Sequence, residues 1–230
     1  QGLVENVQIL SGNLVQNGDF SEEGVEEVSN GSFSQEGVEI VTNGSFDTDS
    51  DWIKGTGWSI SGGKAISNGT SGNLYQSGII VTGKQYKIQA TISDYVSGDV
   101  EVSAGAVPRG AMSANGTYTF YQTASSTSNL FIISKSFNGS IDNVSCVEVG
   151  QDWTLGGEVT IGDNLAHFES NTNTYSYIRQ DISSLTSKTY KIQLEVKNYV
   201  SGAVQVAFSG ASPIAQNLNV STDGVYTAYL

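Results

Sequence analysis

The sequence predicts an all-β chain, built from tandem antiparallel β-sandwich modules that follow a short β-repeat segment. Three observations lead to this prediction. Apolar and polar residues alternate with a period of two in many short segments, and none shows a sustained 3.6-residue apolar period. The 230 residues include 27 glycines and only 2 prolines, and Asn-Gly and Ser-Gly pairs recur between short apolar runs, as turns between strands do. A long segment also occurs twice.

The duplicated segment is YKIQATISDYVSGDVEVSAG, residues 86–105, which returns as YKIQLEVKNYVSGAVQVAFSG, residues 190–210. One face of the first predicted strand is apolar and the other is polar: Tyr86, Ile88, Ala90 and Ile92 against Lys87, Gln89, Thr91 and Ser93. The alternation resumes after the tetrapeptide YVSG, so each copy is predicted to be a hairpin that turns there. The duplication itself predicts two modules of one fold.

A shorter repeat fills residues 14–52 as LVQNGDFSEEGVEE, VSNGSFSQEGVEI and VTNGSFDTDSDW, in which Val, Asn-Gly and Phe recur every thirteen residues. Asn-Gly is typical of tight turns, because both residues tolerate a positive φ, so each unit is predicted to form strand, turn and strand. Such a short unit cannot bury its own Val and Phe. Two interpretations stay open: a fibrous β-stalk wound from several chains, or a duplicated first strand of the following module.

The repeats set the predicted domain boundaries. Residues 1–40 are the short β-repeat segment, residues 41–150 the first module and residues 151–230 the second. Trp153 of the second copy matches Trp52, but nothing in it matches residues 123–149. An open sandwich exposes apolar faces and unpaired edges. We therefore expect the chain to be a fragment of a longer polypeptide that completes the fold, and an intact native mass near 24.3 kDa would contradict this.

The charge is negative and unevenly placed. The formal net charge is −13, and eleven acidic residues but no Lys or Arg precede Trp52. Nucleic-acid binding is disfavoured, because phosphate contacts need basic side chains. We interpret the acidic residues as a solvated surface that resists aggregation, with divalent-cation binding as the alternative. No run approaches about eighteen apolar residues, so membrane insertion is not expected.

Residues for chemistry are few. A single cysteine, Cys146, excludes an internal disulfide and a cysteine metal cluster, and its alternation with Val144 predicts a small buried side chain. His167, the only histidine, is predicted to face the surface. The sequence shows no nucleophile paired with a base, so we predict a protein that is not an enzyme.

Several segments, in order, resemble the jelly-roll carbohydrate-binding modules of the family-four and family-nine type. They are NGSFDTDSDW (43–52), GWSISGGKA (57–65), LYQ (74–76), TGKQYKI (82–88) and IDNVSCVEV (141–149). The resemblance covers residues 41–149 well and residues 151–230 in part, and it implies a jelly-roll sandwich. The Asn-, Gly-, Ser- and Thr-rich tandem arrangement resembles versions found in bacteriophage fibre and appendage proteins.

The resemblance implies a glycan site in the first module, where aromatic rings stack on sugar rings and polar groups read the hydroxyls. The matching residues are Trp52, Trp58 and Tyr75, with the Gln76 amide. Because Trp52 persists as Trp153 in the second copy, a shared packing role is favoured over ligand contact at that position.

The resemblance also implies a structural calcium between the start of the module and its last strand. Asp47 and Asp142 stand at the matching acidic positions, and carboxylate oxygens are ligands that calcium prefers. Turn-capping aspartates are the alternative interpretation. No other cofactor is expected.

These observations predict a virion structural protein, a bacteriophage fibre or appendage segment on the particle surface whose modules contact host glycans weakly and multivalently. The expected partners are further copies of the chain, a trimer among the options, and other virion proteins. A secreted bacterial polysaccharide-binding protein or adhesin is the alternative. A bacterial surface filament or surface-layer subunit is the second alternative.

Overall fold

The computed structural model of the protein describes residues 22–105, 108–126, 128–169, 175–182, 188–208 and 218–229. Every regular element in these residues is a β-strand, and the pairings are antiparallel, which confirms the predicted fold class. No helix that could cross a membrane occurs among them. The chain divides into two compact units, Gln1–Ile182 and Ser183–Leu230.

The described residues of the first unit contain β1 (Glu36–Glu39), β2 (Ile53–Lys54), β3 (Trp58–Ser61), β4 (Lys64–Asn68), β5 (Gly72–Gln76), β6 (Gln85–Ala104), β7 (Arg109–Met112), β8 (Gly116–Thr123), β9 (Leu130–Val149), β10 (Thr154–Gly156), β11 (Val159–Gly162), β12 (Leu165–Phe168) and β13 (Tyr177–Arg179). Those of the second unit contain β14 (Lys191–Val196), β15 (Val204–Val206), β16 (Leu218–Val220) and β17 (Gly224–Tyr229).

Two strands of 20 residues each, β6 and β9, form the centre of the first unit and pair along both of their halves. The first half of β9 lies between β5 and the second half of β6, which also pairs with β7. The second half of β9 pairs with β1, β4 and the first half of β6, which also pairs with β8. The sheet is therefore doubled into two layers that share two strands.

Bends in both long strands produce this doubling. Asp94 and Gly98 of β6 have φ values of 52° and 76°, and Ser136 of β9 has a φ of 56°. A Cβ atom at Gly98 would lie 2.0 Å from the Ser136 carbonyl oxygen, so a glycine is required where the bends meet. In the first copy, the predicted hairpin at YVSG, residues 95–98, is wrong. The two halves of the first copy form one bulged strand, β6, and β9 pairs with both of them. The sequence did not reveal this, because an alternation with a period of two can resume after a bulge as it does after a turn. In the second copy, residues 199–202 lie between β14 and β15, which in the described residues pair with β17 and β16 and not with each other.

The two layers enclose one core. Buried side chains from both layers pack into a single cluster, among them Val100, Val102, Leu130 and Ile132 from one layer and Ile88, Ile92, Ile141 and Cys146 from the other. The predicted apolar face of residues 86–92 is buried in it. A two-layer sandwich follows, as the strand patterns predicted.

The second copy reuses the strand registers of the first. The β10–β13 pair matches β2–β5, and the β11–β12 pair matches β3–β4, with Ile161 opposite Ala166 where Ile60 lies opposite Ala65. Within the second unit, β14 pairs with β17 as the first half of β6 pairs with β8. The repeated segments thus form the same pairs.

The predicted domain boundaries can be placed on these elements. The sheet of the first module begins with β1, before the predicted start at residue 41. The division between the compact units falls after Ile182, inside the predicted second module. The boundaries of the second module stay a prediction.

Candidate functional site

The first six residues of the third short repeat, 41–46, are held by two side chains. The Trp52 indole N–H donates to the carbonyl oxygen of Asn43 at 3.0 Å, and the Trp52 ring lies 5.2 Å from that of Phe46. The Gln76 amide accepts from Thr42 N–H at 3.2 Å and donates to the Thr42 carbonyl. Asn43 has a φ of 52°, as predicted for a turn at Asn-Gly. Trp52 and Gln76 therefore form a receptor for this segment.

Three of the four predicted sugar-contacting residues lie in the interior. Trp52, Trp58 and Gln76 are buried, and the Trp58 indole N–H donates to the Gly72 carbonyl at 3.1 Å. Val159, which matches Trp58, is also buried. Their polar atoms are used by the backbone of the module itself. Packing is thus the role that their contacts show, and glycan contact by them stays a prediction.

Tyr75 instead lies on the outward face of the layer that contains β5. Ile53, Tyr75 and Phe131 are directly opposite one another on three neighbouring strands, so their side chains share a face. The rings of Tyr75 and Phe131 have centroids 5.1 Å apart and an interplanar angle of 36°. Both are half-buried, and Ile53 is exposed. We call these three residues the aromatic row.

Polar groups lie one row away on the same face. Asn73 is opposite Ile133, which is opposite Glu101. Glu101 forms an ion pair with Lys135, with 3.7 Å between the carboxylate Oε2 and the ammonium Nζ. The aromatic row therefore has an amide, a carboxylate and an ammonium group beside it. This face joins an apolar surface with hydrogen-bonding groups, a combination typical of interaction sites.

The second copy does not repeat the aromatic row. Arg179 stands where the first module has Tyr75, and Thr154 is its neighbour where the first module has Ile53. The fold thus tolerates arginine at the tyrosine position. In the described residues, β10 and β13 form the same pairing without the ring, so this pairing does not require it.

The predicted calcium residues supply few ligands. The Asp47 carboxylate accepts from the Ser45 hydroxyl at 2.7 Å, and that of Asp142 accepts from Asn143 N–H at 2.6 Å. Among the described residues, no group of three or more His, Cys, Asp or Glu side chains could hold a metal ion. Calcium takes about six to eight oxygens, so these two carboxylates do not make a complete site. Calcium binding stays a prediction, which a calcium titration followed by melting temperature tests.

A cleft of about 290 Å³ lies where residues 33–36 and β11 meet the first module. Its lining includes Phe33, Lys87, Tyr121 and Asp163. Lys87 donates to Glu36 at 2.7 Å, and this bond raises the Lys87 pKa. The Tyr121 hydroxyl donates to Asp163 at 3.1 Å, and burial raises the pKa of Tyr121. These paired groups join segments of the chain, which makes the cleft a structural junction.

The second short repeat is bound by the second copy in the same way as the third repeat is bound by the first module. The Trp153 indole N–H donates to the Asn30 carbonyl at 3.0 Å, and the Trp153 ring lies 5.3 Å from Phe33. The Gln180 amide accepts from Ser29 N–H at 3.0 Å and donates to the Ser29 carbonyl. A duplicated first strand explains these contacts. Residues 14–21 of the first repeat lie outside the described residues, and its residues 22–27 form no strand. The stalk stays a prediction.

Cys146 and His167 each have a structural environment. Cys146 is buried, as predicted, and burial raises the pKa of its thiol to about 12, so it is not a nucleophile near neutral pH. The His167 Nε2 atom lies 3.1 Å from the Gly162 carbonyl oxygen, and the residue is half-buried. This bond holds the turn between β11 and β12.

Phe131 and Ile53 were missed in the sequence. The signal for Phe131 was the alternation in LFIIS, where Phe131 and Ile133 take one face and Leu130 and Ile132 the other. Pairing across three strands, which brings Ile53 and Phe131 to Tyr75, is a tertiary property.

Neither protein-family models nor curated protein sequences give a match to this chain. Among solved structures, one titled "CBM4 structure and function", where CBM denotes a carbohydrate-binding module, aligns with 52% of this chain and 98% of its own, at 16% sequence identity and a TM-score of 0.28. At this level, the similarity assigns no residue a role.

Proposed function

We propose that the first module is a non-catalytic glycan-binding module and that the aromatic row is its contact surface. The observation that carries this is the Tyr75–Phe131 ring pair at 5.1 Å on an outward sheet face. Ring faces contact the apolar C–H faces of sugars, and the tyrosine hydroxyl adds a polar group. Asn73 and Glu101 on the next row would hydrogen-bond sugar hydroxyls.

The test is binding of the purified chain to a glycan array, followed by calorimetry on each glycan that is retained. Tyr75→Ala and Phe131→Ala should each weaken binding about tenfold or more, as truncation of central aromatic contacts does. Tyr229→Ala is the matched control, because Tyr229 is also exposed but lies on β17. Retention of no glycan, or equal affinity of all three variants, would contradict the proposal.

The finer proposal is that the chain is part of a bacteriophage fibre or appendage, in which several copies present weak sites together. Its support is the resemblance in composition and motif order, with a described structure made of strands and turns. Antibodies against residues 41–150 should label projections on purified phage particles. Labelling of bacterial cell surfaces or culture medium instead would favour the adhesin, and labelling of a lattice or filament would favour the surface-layer subunit.

A further inference from the structure

In the first module, the last residues of β9 cover residues 39–44, where the second repeat joins the third. The Glu39 carboxylate accepts from Cys146 N–H at 2.9 Å and from the Ser145 hydroxyl at 2.6 Å. Ile40 N–H donates to the Cys146 carbonyl at 3.1 Å, and Val144 N–H donates to the Gly44 carbonyl at 2.9 Å. The segment thus binds a strand through one carboxylate and its own backbone.

The same groups occur thirteen residues earlier, where the first repeat joins the second. Glu26 matches Glu39 in sequence, and its carboxylate accepts from Val28 N–H at 2.9 Å, as Glu39 accepts from Val41 N–H at 2.8 Å. Gly31 matches Gly44. Since Trp153 and Gln180 hold residues 29–33, this segment is already fixed in place.

Among the described residues, no strand covers residues 26–31 as the last residues of β9 cover residues 39–44. Residues 22–28 form no strand there. Val28 is 38% exposed, whereas its counterpart Val41 is 9% exposed. A Cβ atom at Gly44 would lie 2.0 Å from the Val144 carbonyl oxygen, but one at Gly31 would meet, among the described residues, only Val28 at 3.4 Å. In the part of the chain that the structure describes, no strand fills beside Gly31 the space that β9 fills beside Gly44.

We propose that residues 24–31 are a docking edge for an extended peptide with the pattern of residues 144–149, Val-Ser-Cys-Val-Glu-Val. The peptide adds antiparallel to the edge, as a strand adds to an open sheet. Its small apolar residues cover Val28, and its serine hydroxyl and the following N–H donate to the Glu26 carboxylate. The carbonyl of Gly31 accepts one further backbone N–H. This peptide pattern is that of β9, whose residues 144–146 make the equivalent contacts with Glu39, Ile40 and Gly44 in the first module.

The probe is a synthetic peptide of residues 139–149 carrying Cys146→Ala, which prevents disulfide formation, added to the full chain. Amide hydrogen exchange at residues 24–31 is measured by mass spectrometry across a peptide titration to millimolar concentration. We expect saturable slowing at these residues and no change at residues 36–46, where β9 is already in place. A peptide of scrambled order should have no effect.

Two variants test the assigned contact. Glu26→Ala removes the acceptor and should weaken peptide binding about tenfold, because hydrogen bonds to charged groups are strong. Glu27→Ala removes the same charge from the position that matches Ile40, whose side chain makes no such bond, and should change affinity less than about twofold. The proposal is overturned by absence of slowing at millimolar peptide, by equal slowing with the scrambled peptide, or by equal loss of binding in the two variants.

Discussion

Replacing Trp153 with alanine should release the second short repeat while leaving the third in place. The repeats lie side by side in sequence, yet Asn30 is bound by Trp153 and Asn43 by Trp52. If each repeat were a segment of a continuous stalk, a substitution beyond residue 150 would affect neither.

The magnitude follows from the contacts that are lost. Trp153→Ala removes a ring pair at 5.3 Å, worth about 0.5–1.5 kcal/mol. It also removes a hydrogen bond of 3.0 Å, worth about 0.5–1.5 kcal/mol. The sum is about 1–3 kcal/mol, which raises local opening of the segment roughly 5- to 140-fold.

Amide hydrogen exchange reads this opening directly. Within residues 28–35, the N–H groups of Ser29, Phe33 and Gln35 each donate a hydrogen bond, so their exchange should accelerate by that factor. Trp153→Phe keeps a ring beside Phe33 and should accelerate exchange less. The reasoning is refuted if residues 28–35 exchange at the original rate in Trp153→Ala, or if residues 41–46 accelerate equally.

Three further predictions concern the sandwich. Gly98→Ala should destabilise the first module by about 2–5 kcal/mol in chemical denaturation, because it combines a positive φ with a clash against Ser136. Gly62→Ala, which has a positive φ but open space, should cost only about 1–2 kcal/mol. Cys146 should resist thiol reagents until the chain unfolds. Because burial raises its pKa from 9.0 to about 12, the contribution of the neutral thiol to stability is complete below pH 9 and is lost as the pH rises towards 12. Melting temperatures measured across this pH range test this. Tyr121→Phe should accelerate exchange in the β11–β12 hairpin about fivefold or more, because the Tyr121 hydroxyl donates to the Asp163 carboxylate and accepts from Asp163 N–H.

The local sequence pattern identified strands and the Asn-Gly turns, but it did not show which strands pair with each other. Alternation in residues 86–92 identified a buried face, and the positive φ at Asn30 and Asn43 agrees with the Asn-Gly turns. The YVSG segment was misread as a turn, because a bulge that redirects one strand has the same local signature as a connection between two. Only the pairing with β9 distinguishes them.

The candidate site divides in the same way. Tyr75 could be identified from sequence, whereas its neighbours could not, since Ile53 and Phe131 reach it through cross-strand register. The resemblance implies a sugar contact for Trp58, whereas a packing role is favoured for Trp52. Both indoles lie in the interior, and their N–H groups donate to backbone carbonyls.

By itself, the sequence determined the all-β class of the described elements, the turns at Asn30 and Asn43, and the buried face of residues 86–92. These are local properties, fixed by a period of two and by turn chemistry. Tertiary structure alone decided which segment completes which sheet. A repeat of thirteen residues cannot bury its own valine and phenylalanine, so its position depends on the Trp and Gln that receive it, and for the second repeat those are more than 120 residues away, as the separation of Asn30 from Trp153 shows.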